Sequence, residues 1–354
     1  MKVLIVDDSI VFRTAIKNAL LNSGQVREVD VASNGKIAAD KLKQKSFDGI
    51  TLDLEMPVMD GIETIKEIRS FNKDIPIIIF SAQNINAANK TIKALEMGAN
   101  DFVQKLQDSA DLETNIKNIQ NELVPRFSAL LNKNQYKQEK MNPTVQENSV
   151  LENTSQSSRV VKPFTKANLI CIGSSTGGPD FLMRLFSKIG KLDVPVLITQ
   201  HMPPIFTTQL AKTLNELSPN RVVEATNGDI LESGTVYLAP GDFHMIIKPY
   251  DKGHKIELTK SEKVCFVRPA VDVMLNSVAD YFQGNVVTYI FTGMGNDGAN
   301  GCQRMRDKNG INIVQDESSS VVWGMPRAVY DRQLHDEILK PDEIVKSINT
   351  FGIK

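Results

Sequence analysis

The chain has 354 residues, 41% of them hydrophobic, with 41 Lys plus Arg set against 42 Asp plus Glu. That length predicts about two domains, and a balanced charge without a long basic run lacks the electrostatic footprint of a nucleic-acid binder. No apolar run approaches the ~18 residues needed to span a bilayer, and the opening "MKVLIVDDS" is not laid out as a secretory leader, so a cytoplasmic protein without membrane insertion is expected.

From Met1 to about Gln120, short apolar runs ("KVLIVD", "GITLDL", "PIIIFSA") alternate with segments of helical period (Phe12 to Ser23, Gly35 to Lys45, Gly61 to Phe71, Asn86 to Met97). The alternation predicts βα units around a parallel sheet, whose buried strands read as continuous apolar runs. Ser109 to about Leu131 carries apolar residues at helical spacing and is expected to close a first domain, 1–131, with Pro125 bending or ending its helix. Residues 132–165 are rich in Asn, Gln, Ser, Lys and Glu, a composition that cannot bury enough surface to offset its ordering entropy, and they read as a flexible linker. A second alternation occupies 166–354, with strands expected near "NLICIG", "PVLITQ", "TVYLAP", "VTYIFT" and "INIVQD". The fold class expected is α/β: a flavodoxin-like (βα)5 unit followed by a doubly wound, Rossmann-like, mostly parallel sheet. Cys171, Cys265 and Cys302 lack paired metal spacing and read as reduced packing residues.

In an open parallel sheet, ligands gather beyond the carboxyl ends of the strands. Asp7 and Asp8 end the first strand, Asp53 ends the "ITLDL" strand, Ser81 follows "IPIIIF", and Lys105 follows "DFVQ". Crowded carboxylates repel unless a hard cation joins them, and an all-oxygen donor set suits Mg2+. With a lysine to neutralise phosphoryl oxygens, the group is arranged for phosphorylation of Asp53. These pieces ("LIVDDS", "DLEMPVMDG", "FSA", "GANDFVQK") resemble the receiver domain of bacterial response regulators. The resemblance implies that Asp53 accepts the phosphoryl group and that Asp8, Asp53 and the Glu55 backbone carbonyl ligate Mg2+ beside Asp7. It further implies that Ser81 and Lys105 sense the phosphoryl group and that Phe102 reorients with Ser81. Leu106 stands where that family usually has proline.

In the second domain, "CIGSSTGGP" satisfies G-x-S-x-G around Ser175, a strand-turn-helix that exposes a serine, though a plain glycine-rich turn fits the same letters. No G-x-x-x-x-G-K-[ST] or G-x-G-x-x-G is present, which disfavours a phosphate loop. A nucleophilic serine needs a base. Of the four histidines, His254 and His335 sit in polar stretches that read as surface, His335 in a helical one. His244 is a second-rank contact, whereas His201 directly follows the strand "VPVLITQ". Asp297, in the turn after "VVTYIFT", is the acid that would hold the imidazole, and backbone amides of "TGMG", notably Met294, would provide an oxyanion hole.

The blocks "IGSSTGGP", "QHMPPIFT", "LAPGDFHM", "RPAVDVML", "FTGMGNDGA" and "QDESSSVVWGMPRAV" resemble the catalytic domain of the CheB-type chemotaxis methylesterases. That resemblance implies Ser175 as nucleophile, His201 as general base and acid, Asp297 as orienting acid, Met294 as oxyanion donor and Thr176 lining the site, with no cofactor in this domain. It implies demethylation of glutamate esters and deamidation of glutamines on methyl-accepting chemoreceptors. A histidine kinase would serve as phosphodonor, and the receiver would inhibit the site until Asp53 is phosphorylated.

Overall fold

Most strands of the two large sheets lie buried along almost their whole length because their residues are apolar on both faces, and helices cover both sides. A computed structural model describes residues 1–105, 112–141 and 164–353. The first unit runs β1 (Lys2–Val6), α1 (Ile10–Asn22), β2 (Glu28–Ala32), α2 (Gly35–Gln44), β3 (Gly49–Asp53), α3 (Gly61–Phe71), β4 (Ile77–Ser81), α4 (Ile85–Glu96), β5 (Asp101–Gln104) and α5 (Leu112–Met141). Its five strands pair in parallel in the order β2-β1-β3-β4-β5, which puts the switch of direction between β1 and β3. Side-chain oxygens of Ser9, Asn34, Asp60 and Asn84 accept the backbone N–H groups that open α1, α2, α3 and α4. These caps stop the chain sharply after each strand and leave the strand-end acids clear of the helices.

The second unit continues with β6 (Leu169–Ser174), α6 (Gly178–Phe186), β7 (Val196–Gln200), α7 (Phe206–Leu217), β8 (Arg221–Glu224) and β9 (Thr235–Leu238). A hairpin of β10 (His244–Tyr250) and β11 (Gly253–Thr259) follows, then α8 (Val271–Tyr281), β12 (Val286–Ile290), α9 (Ala299–Asp307), β13 (Ile311–Gln315), α10 (Met325–Asp331), β14 (Glu337–Leu339) and α11 (Pro341–Gly352). The order β14-β13-β12-β6-β7-β9-β8 is parallel throughout, so the chain winds one way from β6 and the other way from β12. The crevice of a doubly wound sheet opens where the winding reverses, here between β6 and β12. No helix among the described residues is long and apolar enough to cross a membrane.

Two expectations about the first unit need correction. Pro125 does not end the last helix, which runs through it. Leu123, Val124, Phe127 and Leu130 are all buried on that helix, and their burial outweighs the single hydrogen bond that proline removes. The helix then continues past Leu131 to Met141, so the start of the expected linker is helical, in keeping with a run of good helix formers that extends an already packed helix. The rest of that segment up to Pro163, and Leu106, lie outside the described residues. Beyond the five strands expected for the second unit, the structure adds the short strands β8 and β14 and the β10–β11 hairpin, which were not expected from the sequence.

The two units are in contact. α4 packs against α6 and α7, and the Phe102 ring stacks on that of Phe206 with centroids 4.5 Å apart. Phe102, Ile92 and Leu95 belong to one apolar cluster with Phe181, Phe206 and Leu210, so the two cores are continuous there.

Candidate active site

At the carboxyl edge of the first sheet, the carboxylates of Asp7, Asp8 and Asp53 come together, with oxygens all within 4.8 Å of one another. Asp7 and Asp53 are buried while Asp8 is exposed. Lys105 Nζ lies 2.8 Å from Asp53 Oδ2 and 3.1 Å from Asp7 Oδ2. Burial raises the Asp53 pKa above the usual carboxylate value, with Lys105 working against it. Burial pulls the Lys105 pKa down, but the charges of Asp53 and Asp7 outweigh it and hold the pKa above normal. Asp7 Oδ2 is buried and accepts no aligned hydrogen bond, with the Lys105 ammonium as its neighbouring cation. An orphaned oxygen beside two more carboxylates fits a hard divalent cation such as Mg2+. Ser81 Oγ, at the end of β4, accepts a hydrogen bond from Thr91 Oγ1 on α4 at 2.7 Å. The Glu55 N–H donates to Asp53 Oδ1 at 3.3 Å, while its side chain turns outward to Lys90 at 2.7 Å. The cavity over these groups is about 240 Å³.

In the second sheet, β6, β7 and β12 lie side by side and deliver Ser175, His201 and Asp297 to one rim. Gly177 caps α6 at φ 78°, and a methyl group added there would come within 2.5 Å of Val321 Cβ, so only glycine makes this turn. Ser175 is pinned through its backbone: its N–H donates to Thr292 O at 3.0 Å, and its carbonyl accepts from Gly178 N–H at 2.7 Å. Gln200 Nε2 donates to the carbonyls of Ser175, at 3.0 Å, and His201, at 3.3 Å, tying the two strand ends together. His201 Nε2 lies 2.8 Å from Asp297 Oδ2. No hydrogen bond joins Ser175 Oγ to His201; such contacts often tighten only when substrate binds. Among the described residues the Met294 N–H has no hydrogen-bond partner, and the residue sits in the loop after β12, at the same edge of the sheet.

The Asp297 carboxylate owes its position to a helix start. Oδ2 accepts the Val271 N–H at 2.6 Å and Oδ1 the Asp272 N–H at 2.9 Å, both from the first turn of α8, where free amides and the helix dipole favour an anion. Asp272 returns the arrangement, accepting from Gly298 N–H at 3.0 Å and Gly301 N–H at 2.7 Å at the start of α9. Each acid thus caps the helix beside the other. Burial, with Asp297 adding to it, raises the Asp272 pKa despite these amides. Gln200 and Asp272 were missed from the sequence although both lie in motifs quoted for it. A polar residue in an otherwise apolar run was the available signal.

The remaining histidines and cysteines sort differently from expectation. His244 is fully buried, its Nε2–H donating to Glu262 O at 3.0 Å and its Nδ1 accepting the Ala270 N–H at 3.1 Å, a structural brace under α8. His254 is half-buried and donates to Tyr281 O at 2.8 Å, so it is not a free surface residue. His335 is half-buried too and lies after α10 ends rather than in a helix, its ring tilted against Tyr330. Cys171 and Cys302 are buried as expected, whereas Cys265 is exposed.

The rim faces the first unit across a cleft of about 480 Å³ that His201 shares with Asp101, Phe102 and Arg126. Thr176, next to Ser175, donates from Oγ1 to Asp101 Oδ2 at 2.7 Å, and Arg126 Nε holds the same oxygen at 3.2 Å.

Comparison with known proteins identifies the family of each unit. Residues 170–348 match the CheB methylesterase family and residues 3–117 the response regulator receiver domain. A Trichodesmium erythraeum protein named protein-glutamate methylesterase/protein-glutamine glutaminase is 38% identical over 98% of this chain and 97% of its own length. A protein of the same name from Clostridium acetobutylicum is 35% identical over 98% of this chain and 96% of its own. The solved catalytic domain of the Thermotoga maritima CheB methylesterase superposes with a TM-score of 0.51 at 36% identity, covering 52% of this chain and 98% of that one. With a receiver domain ahead of the matched hydrolase domain and full-length relatives above 30% identity, the chain belongs to the CheB methylesterase family, enzymes that hydrolyse esters and amides.

Proposed function

We propose that Ser175, His201 and Asp297 form a catalytic triad that hydrolyses glutamate γ-methyl esters on chemoreceptors, and that the receiver domain holds the site closed until Asp53 is phosphorylated. The observation that carries the chemistry is the 2.8 Å contact of His201 Nε2 with Asp297 Oδ2 on the rim that also bears Ser175. Asp297 accepts the Nε2–H, which leaves Nδ1 as the basic nitrogen. Nδ1 takes the proton of Ser175 Oγ as the oxygen attacks the γ-carbonyl, and Asp297 stabilises the imidazolium that forms. The oxyanion of the tetrahedral intermediate meets the Met294 N–H, a donor typically worth about 10²–10³ in rate. Collapse expels methanol, which carries the proton from Nδ1. Water then attacks the acyl-serine with its proton going to Nδ1, releasing a glutamate carboxylate and regenerating Ser175. A glutamine amide enters the same route with ammonia as the leaving group, which matches the second activity in the relatives' names.

The contacts between the units support the proposed regulation. Phe102 leaves the receiver to stack on Phe206 of the catalytic domain, while Asp101 beside it holds Thr176 next to the nucleophile. Asp8, Asp53 and the Glu55 carbonyl, beside Asp7, would hold Mg2+, which neutralises phosphoryl oxygens during transfer. Phosphate on Asp53, supplied by a histidine kinase, draws Ser81 away from Thr91 and frees Phe102 to turn inward, weakening the interdomain stack. This reading places the protein in the cytoplasm, where receptor tails and the kinase reside.

The test is methanol release from methylated receptor membranes, with and without a small phosphodonor. The wild-type protein should speed up with the phosphodonor, and Ser175→Ala should release essentially no methanol while keeping its circular dichroism spectrum. A Ser175→Ala protein with near wild-type turnover would end the triad reading.

A further inference from the structure

We propose that Phe266 is a substrate-docking residue, an apolar anchor that grips a side chain beside the esterified glutamate and so places the ester over Ser175. This rests on the triad reading above. The observation is the turn that carries it. Val264 and Val267 exchange backbone hydrogen bonds at 3.2 and 3.0 Å, closing a two-residue hairpin whose tip is Cys265 at φ 51° and Phe266 at φ 65°. Two consecutive left-handed residues are the turn that Asn-Gly usually fills, and bulky side chains there are held only where the surroundings impose them.

The surroundings here do impose the turn. At its base Arg268 pairs with Asp242 and donates to the Lys260 and Ser261 carbonyls at 3.1 and 2.8 Å, and His244 Nε2–H holds the Glu262 carbonyl. On the inner side of the tip, Cys265 Sγ comes within 4.8 Å of carboxylate oxygens of both Asp272 and Asp297. The turn is therefore fastened at its root and seated at its tip against the acid that holds His201. Phe266, one residue on, is 95% exposed, the most exposed large apolar side chain among the described residues. The residue nevertheless belongs to the lining of the cleft that His201 shares.

A strained turn that sets a bare phenyl ring at the mouth of a hydrolytic site is a device for touching what enters. The receiver is not its partner, since 95% exposure in the docked arrangement leaves the ring without an interdomain contact. A glutamyl ester hangs on only two methylenes, so the carbonyl reaches Ser175 only when the polypeptide bearing it lies against the rim. A ring standing one residue from the Asp297 contact then meets a neighbouring side chain of that polypeptide. The chemical class recognised is an esterified glutamate with an apolar residue close to it. Lys263, at the foot of the same hairpin and lining the same cleft, forms no ion pair among the described residues and is free to meet a carboxylate nearby.

The experiment uses the full chain activated by a small phosphodonor, with three readouts: methanol release from methylated receptor membranes, hydrolysis of a small glutamate γ-methyl ester without flanking residues, and the rate of Ser175 labelling by a fluorophosphonate. Phe266→Ala should raise the receptor KM about 10-fold, the scale of losing an aromatic anchor. Its small-ester hydrolysis and labelling rate should stay within about twofold of wild type, and Phe266→Leu should recover most of the loss. Receptor kinetics unchanged in Phe266→Ala, with labelling intact, would overturn the proposal. A parallel loss of labelling would also overturn it, by showing that the turn acts on the triad itself. Higher unphosphorylated activity in the variant would assign the ring to the receiver instead. Failure of the wild-type protein to label at Ser175 is the separate result that removes the triad reading.

Discussion

His244 shows how a buried residue away from the chemistry governs where the chemistry can happen. Both ring nitrogens are committed, one as donor to Glu262 O and one as acceptor from Ala270 N–H, so the fold requires the neutral ring. Burial lowers its pKa from the ordinary 6.5. The unfolded chain takes up a proton near 6.5 while the folded one resists, so the unfolded state binds more protons below that value. The His244 contribution to stability is complete above pH 6.5 and falls as pH drops, until His244 itself protonates in the folded protein. His335, also lowered by burial, adds to the slope with the same sign. Urea unfolding at about pH 7.5 and about pH 5.5 should show the loss, and His244→Gln should flatten part of it, leaving the share due to His335. An unchanged slope in His244→Gln would mean the brace does not titrate as described. The brace matters because Ala270 precedes α8, whose first amides hold Asp297.

At the level of elements, the site is a junction of ends. Strand ends supply Ser175 and His201, and helix starts supply the amides that fix Asp297 and the loop behind it. The arrangement works only if α8 sits close on β6. A methyl group added at Gly173 would lie 2.7 Å from Val271 Cγ1 and 2.8 Å from Cγ2, and Val271 is both the first residue of α8 and a donor to Asp297. Val271 is β-branched and fully buried, so its side chain has little freedom to move aside. Gly173→Ala should therefore destabilise the domain by about 1–3 kcal/mol and lower its Tm by about 2–10 °C. The surviving folded protein should also lose esterase activity, because moving Val271 moves the carboxylate. A variant with wild-type Tm and turnover would show that α8 can shift freely over the strand.

On the scale of the whole molecule, the two units are joined by polar and apolar contacts at one place. Asp101 accepts from Thr176 and from Arg126, while the adjacent Phe102 stacks on Phe206. A hydrogen bond to a charged group is worth about 1.5–3 kcal/mol, a large share of the balance that phosphorylation would tip in the proposed regulation. Asp101→Ala should therefore shift the equilibrium toward the open form and raise unphosphorylated methanol release by about 10-fold or more. The rate with phosphodonor present should change little, because in the proposed regulation phosphorylation has then already released this contact. Equal unphosphorylated rates in the variant and wild type would show that the apolar stack alone holds the units together.

Much of this protein was readable from its residues. Continuous apolar strands such as "LICIG" and "VVTYI" announce a parallel sheet, because strands buried on both faces have no polar face to alternate with. A polar residue that ends such a strand must stand on the sheet's carboxyl edge, so Ser175 and His201 could be placed on one rim by pattern alone. Tertiary structure decided what lies between distant segments. Which histidine nitrogen faces Asp297 depends on an approach across 96 residues of chain, and the mutual capping of Asp272 and Asp297 joins helices whose own sequences carry no ordinary cap. The exposure of Cys265 and Phe266 depends on backbone dihedrals that no periodicity encodes. The seating of the receiver over the site depends on the summed complementarity of two surfaces. Local patterns report what each segment must bury, whereas these features come from contacts between segments that meet only once the chain has folded.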